Sequence, residues 1–138
     1  MKKIGLLLAF LAVFLIGKQG MEQAVETVKE LSDEEHPEIA LTFDDGPHGI
    51  YTEQLLDGLK ERGVQATFFL IGQNIEGKED VVKRMKEEGH LIGNHTYHHP
   101  DMSKISSMDA FSKEMSELET LYEQTTGEPI TKFYRPPQ

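Results

Sequence analysis

The sequence predicts an α/β fold built from parallel βα repeats, and three observations carry that prediction. From Glu38 onward, short apolar runs alternate with segments of helical periodicity. The run "ATFFLI" at 66–71 is apolar on both faces, as a strand inside a parallel sheet is. The chemically conspicuous residues fall directly after such runs, at the edge where parallel sheets gather functional side chains.

In order, "IALTF" at 39–43 is a first β-type run. Thr52 is placed to cap a helix with Leu55, Leu56 and Leu59 on one face, ending at Gly63. After the strand at 66–71, "KEDVVKRMKEEG" at 78–89 predicts a helix with early acidic residues, an Asp80–Arg84 pair and a stop at Gly89. "HLIG" at 90–93 is a brief third strand, followed by a histidine loop closed by Pro100. Ser107 then caps a long helix with Met108, Phe111, Met115, Leu118 and Tyr122 at spacings of three and four, and Gly127 ends it. "ITKFYR" at 130–135 begins a fourth strand.

A chain of 138 residues is long enough for one small domain with a core. It has no cysteine, so any metal site must use nitrogen and oxygen donors. With 24 acidic against 14 basic residues and a net charge of -10, a nucleic-acid partner is not expected. The first 20 residues differ from the rest. Lys2 and Lys3 precede an apolar run from Ile4 to Ile16, which predicts a signal peptide or an N-terminal membrane anchor over 1–20. The expected location is secreted or cell-surface, with this segment in contact with the membrane. Residues 21–37 form a charged linker, and 38–138 the domain proper.

"ALTFDDGP" at 40–47 puts Asp44 and Asp45 side by side where an apolar run stops. Adjacent like charges repel unless a cation or an arginine compensates them. For "DDG" alone, a solvated turn is the plainer reading. "GNHTYHHP" at 93–100 changes the balance. His95 and His99 lie four apart and can converge on one point, with His98 as a rival. Joined by a carboxylate from another strand end, they make a two-histidine, one-carboxylate site. A divalent metal lowers the pKa of water towards neutrality, and a second carboxylate can serve as base.

These stretches resemble the polysaccharide deacetylases, the NodB homology domain of carbohydrate esterase family 4. The family's T-F-D-D-G motif stands as Thr42 to Gly46, its H-[ST]-x-x-H motif as His95 to His99, and the start of its Arg-Pro-Pro segment as Arg135 to Pro137. The resemblance covers about residues 38–138. It implies about the first half of a distorted (β/α) barrel. It also implies a metal-dependent hydrolase that removes acetyl from N-acetylglucosamine units of peptidoglycan or chitin-like polymers. By resemblance, Asp44 is the general base toward the attacking water, and Asp45, His95 and His99 bind one divalent metal ion, zinc foremost. Thr96 steadies the histidine loop, Arg135 orients the base, and Gln138 offers its backbone N–H to the oxyanion. The family continues to a Leu-x-His element whose histidine is the general acid. Because the sequence stops at Gln138, the expectation is a truncated chain of poor turnover, with a non-catalytic metal- or glycan-binding remnant as the alternative.

Overall fold

A computed structural model describes residues 38–138. The segments expected as signal or anchor (1–20) and as linker (21–37) lie outside the described residues. Strands β1 (Thr42–Gly46), β2 (Thr67–Leu70) and β3 (Leu91–Asn94) form a parallel sheet in the order β1-β2-β3. Thr42 pairs with Thr67, and Thr67 with Leu91, so the three strand ends come level at one edge. Helices α1 (Gly49–Glu61), α2 (Gly72–Ile75), α3 (Glu79–Glu87) and α4 (Met108–Thr126) occupy the connections and the stretch after β3. A 3-10 turn at Met102–Lys104 precedes α4.

β2 is the central strand, and Phe68, Phe69 and Leu70 are all buried, as an apolar run flanked on both sides requires. The core packs around it. Leu56 and Leu59 enter from α1, Val82 and Met85 from α3, and Leu118 and Tyr122 from α4. Ser107 caps α4 as expected, its Oγ accepting from the Ala110 N–H at 3.1 Å. Gly127 ends that helix in the left-handed conformation, φ 74°. Phe111 and Met115 are half-buried, but Met108, the first residue of the expected stripe, is exposed.

Several expectations need correction. The first strand is not 39–43 but 42–46, so it runs through both aspartates. Its ladder partner fixes this, since β2 begins at Thr67 opposite Thr42, leaving Ile39 and Leu41 exposed. Thr52 does not cap α1. The helix begins a turn earlier, after His48, and the buried Thr52 Oγ1 accepts the His48 N–H at 2.8 Å. The hydroxyl thus satisfies a free amide at that terminus from inside the helix. The Asp80–Arg84 pair does not form. Asp80 meets Lys83 at 3.3 Å, while Arg84 meets Asp57 of α1 at 2.6 Å and Glu88 at 3.0 Å. Arg84 is half-buried and faces two carboxylates there, whereas Asp80 is exposed. The fourth strand reduces to a single parallel bridge between Tyr134 and Asn94. A bend at Lys132 and the donorless Pro136 and Pro137 bracket it. The four-residue α2 was not expected, because so short a segment has no readable periodicity.

Just before β3, the His90 ring is buried and its Nδ1 accepts the Ala66 N–H at 3.1 Å. Burial holds its pKa below the ordinary 6.5, outweighing the opposing pull of Glu88. A depressed folded-state pKa contributes stability above the unfolded value, and that contribution is lost as pH falls. His90→Gln is therefore expected to shrink the loss in urea midpoint between about pH 7.5 and about pH 5.5. Equal losses in the parent and the variant would show that His90 is not a source of acid sensitivity.

Candidate metal centre

In a regular strand, neighbouring side chains point to opposite faces, which would separate Asp44 from Asp45. The β1–β2 register slips between Asp44 and Gly46, so Asp45 is the extra residue of a bulge. Its φ is 66°, and the Asn74 side chain of α2 donates to its carbonyl at 2.9 Å. The bulge sends the two carboxylates to different partners. Asp44 accepts from Arg135 Nη1 at 2.6 Å, and the same nitrogen donates to Thr42 Oγ1 at 3.1 Å. The guanidinium lies over the Phe69 ring, 4.1 Å from its centre, so an aromatic face backs it.

Asp45 turns toward the histidines. His95 follows β3 directly, its N–H donating to the Leu70 carbonyl at 3.0 Å. Its ring is buried, and Nδ1 lies 2.7 Å from the Arg135 carbonyl. A carbonyl only accepts, so Nδ1 carries a proton, which in the neutral ring leaves Nε2 as the atom turned toward Asp45. Thr96 is fully buried; its Oγ1 accepts the His99 N–H at 3.1 Å, and its own N–H donates to Asn94 Oδ1 at 2.8 Å. Among the described residues, the non-glycine positions with positive φ are Asp45, Thr96 and His99, at 66°, 70° and 57°. All three belong to this one place, and each conformation costs roughly 1–3 kcal/mol that the surroundings must offset.

Asp45 Oδ1 lies 3.3 Å from His95 Nε2 and 3.2 Å from His99 Nε2. One donor atom from each of the three residues falls within 4.8 Å of the others. A tetrahedral ion with bonds of about 2.0–2.1 Å sets its donors roughly 3.3 Å apart, so two of the three edges already have that length. Two imidazole nitrogens and a carboxylate oxygen suit a divalent ion such as zinc. The residues present therefore fit a bound metal.

A family profile described as polysaccharide deacetylase matches residues 31–138. The chain belongs to the polysaccharide deacetylase family. It is 46% identical over 100 residues to a peptidoglycan-N-acetylglucosamine deacetylase of Bacillus cereus, covering 72% of this chain and 36% of that relative. The crystal structure of a peptidoglycan N-acetylglucosamine deacetylase in complex with 4-naphthalen-1-yl-N-oxidanyl-benzamide is 45% identical at a TM-score of 0.68, over 72% of this chain and 45% of that one. A family 4 acetyl xylan esterase from Clostridium thermocellum, in complex with a cobalt ion, is 36% identical at a TM-score of 0.66, over 71% of this chain and 47% of that one. The chain thus spans less than half the length of these relatives. Its parallel sheet and helices are part of the family's (β/α) barrel.

In this deacetylase-family chain, the structure brings Asp45, His95 and His99 together, with Asp44 held by Arg135 next to Asp45 in the chain. His98, the rival ligand, is turned elsewhere. Its Nδ1 meets Glu114 Oε1 at 2.9 Å. Gln138 is exposed. Two residues at the site escaped sequence reasoning. Asn74 sits in the unforeseen α2, and Glu114 lies on α4 beside Met115 of the apolar stripe, with no motif to mark it. Burial pushes the Glu114 carboxyl up, but the His98 N–H, the His98 ring and the Tyr97 N–H outweigh it and hold it below its ordinary value.

The histidine loop also packs against α2, with the Gly72 N–H donating to the Thr96 carbonyl at 3.1 Å. A Cβ on Gly72 would run into the Tyr97 ring and lie 3.0 Å from its Cα. Gly72→Ala is expected to lose roughly 1–3 kcal/mol of stability, because the backbone itself must shift. Gly49→Ala, which meets nothing within 4 Å, is the control. Matching urea denaturation curves for the two variants would contradict this packing.

Proposed function

We propose that this chain carries the metal-holding part of a polysaccharide N-deacetylase active site, acting on the acetamide of N-acetylglucosamine units. Peptidoglycan is the first choice of polymer and a chitin-like chain the second. The observation that carries the proposal is the convergence of Asp45, His95 and His99 beside an arginine-held Asp44 in a chain of this family. The name of the Bacillus cereus relative supports peptidoglycan. Asp45, His95 and His99 would hold one divalent ion, zinc foremost. When bound, such an ion supplies Lewis acidity that brings water's pKa near neutrality.

The chain's own residues do the rest. Asp44 is the general base: its carboxylate takes a proton from the water that attacks the acetamide carbon. The Arg135 Nη1 bond of 2.6 Å fixes the direction of that carboxylate. His95 presents Nε2 because its Nδ1 proton is committed to the Arg135 carbonyl. Thr96 ties the two ends of the loop through its bond to the His99 N–H. The backbone N–H of Gln138 stabilises the oxyanion that forms on the carbonyl oxygen. The C–N bond then breaks as the nitrogen takes up a proton in exchange for the one Asp44 removed from water, giving acetate and a free amine on the sugar. The protein works outside the cytosol, delivered by residues 1–20 and spaced from the membrane by 21–37. Lys2, Lys3 and the apolar run to Ile16 support that placement.

Calorimetric titration with zinc and acetate release from N-acetylglucosamine oligomers test the site. His95→Ala and His99→Ala are expected to abolish zinc uptake, and His98→Ala to leave most of it. Equal loss from His98→Ala would overturn the ligand set. Asp44→Asn is expected to keep zinc but to slow acetate release by about 10²–10⁴-fold. Zinc uptake without any acetate release in the parent would favour a non-catalytic metal-binding protein. For location, recovery of the intact chain as soluble cytosolic protein after cell fractionation would refute the membrane-delivery proposal.

A further inference from the structure

We propose that Glu114 is a positioning residue for the metal centre, its carboxylate setting the loop that brings His99 to His95. The proposal rests on the metal-triad reading above. Glu114 Oε2 accepts two successive backbone N–H groups, from Tyr97 at 3.0 Å and His98 at 2.8 Å. Glu114 Oε1 meets the His98 ring at 2.9 Å. One carboxylate therefore binds both residues between Thr96 and His99, the two loop positions with positive φ. Consecutive amides converging on an anion form a rigid concavity, and a charged acceptor strengthens each bond.

The carboxylate is itself well anchored. Leu118, one turn further along α4, is fully buried. The carbonyl of Met115 accepts from Asn94 Nδ2 at 3.0 Å, and Asn94 Oδ1 accepts the Thr96 N–H at 2.8 Å. Asn94 ends β3 and immediately precedes His95. The same turn of α4 thus touches the strand end that delivers His95 and the loop that delivers His99. The spacing of the two imidazoles is set by a helix that supplies no ligand. Glutamine has the shape of glutamate but replaces one acceptor oxygen with an NH2 group. Placed here, its carbonyl oxygen would accept the two N–H groups only as a neutral acceptor, and its NH2 would meet the His98 ring only with Nδ1 as the acceptor, so the charge that strengthens all three bonds is lost.

The experiment measures zinc affinity by chelator competition and the thermal midpoint of the metal-free 138-residue chain. Glu114→Gln is expected to weaken zinc by about 10–100-fold while the metal-free midpoint moves by only a few degrees. Amide exchange at Tyr97 and His98 is expected to speed up in the same variant. The exposed Glu123→Gln is expected to match the parent. Glu114→Asp, which keeps the charge one methylene short, is expected to fall between parent and Glu114→Gln. It decides the matter if Glu114→Gln does not fold. A lowered midpoint with zinc affinity unchanged per folded molecule would reduce Glu114 to a structural residue and overturn the proposal. So would unchanged affinity in Glu114→Asp when that is the variant available. Failure of the parent to bind zinc would instead bring down the triad reading, and this proposal with it.

Discussion

The 2.7 Å contact between His95 Nδ1 and the Arg135 carbonyl is the constraint on which the rest of the site depends. It joins residues 40 apart and decides which imidazole nitrogen faces Asp45. The same residue donates its N–H to the Asn94 carbonyl at 3.0 Å and its guanidinium to Asp44 across 91 positions. Arg135 thus ties the segment after α4 to the end of β3 and to β1 at once. A lysine there could keep the backbone contacts and a charge. It could not supply a flat cation that lies on Phe69 while donating to both Asp44 and Thr42.

The paired aspartates illustrate how a local irregularity solves an electrostatic problem. A straight strand would put one carboxylate on each face and deny one of them a partner. The bulge at Asp45 lets one carboxylate meet a guanidinium and the other meet two imidazoles. The Asp44–Arg135 pair is partly open to solvent, with both side chains more than a third exposed. Such a pair adds little to folding stability, so its value lies in orientation. The strained backbone at Asp45, Thr96 and His99 belongs to the same pattern. Those residues are held by Asn74, by the Thr96 hydroxyl and by α4 rather than by their own preferences.

The repeating βα order, the double-faced burial of "ATFFLI" and the two caps of α4 were legible because each rests on local chemistry. The convergence of Asp45, His95 and His99 was legible because they lie in short motif stretches at strand ends, Asp45 near the end of β1 and the histidines just after β3. What could not be read depended on distant partners. Arg84 chose Asp57 and Glu88 over Asp80 because of how α1 and α3 pack. β1 began three residues later than its apolar pattern because β2 set the ladder. Glu114 lies three residues after Phe111 and four before Leu118, on the apolar face of α4, but only the folded loop gives it two amides to bind. The bulge was invisible for a similar reason, because it exists only as a slip against a neighbouring strand.

The donor set of Asp45, His95 and His99 contains no sulfur, and the chain has no cysteine to compete for an ion. Thiolate centres are lost when their ligands climb the oxidation ladder or pair into disulfides. Imidazole and carboxylate form neither disulfides nor sulfenic acids, so a changing thiol–disulfide balance leaves these donors unaltered. An ion held by these three donors would therefore be governed by protons and free metal rather than by the thiol–disulfide balance.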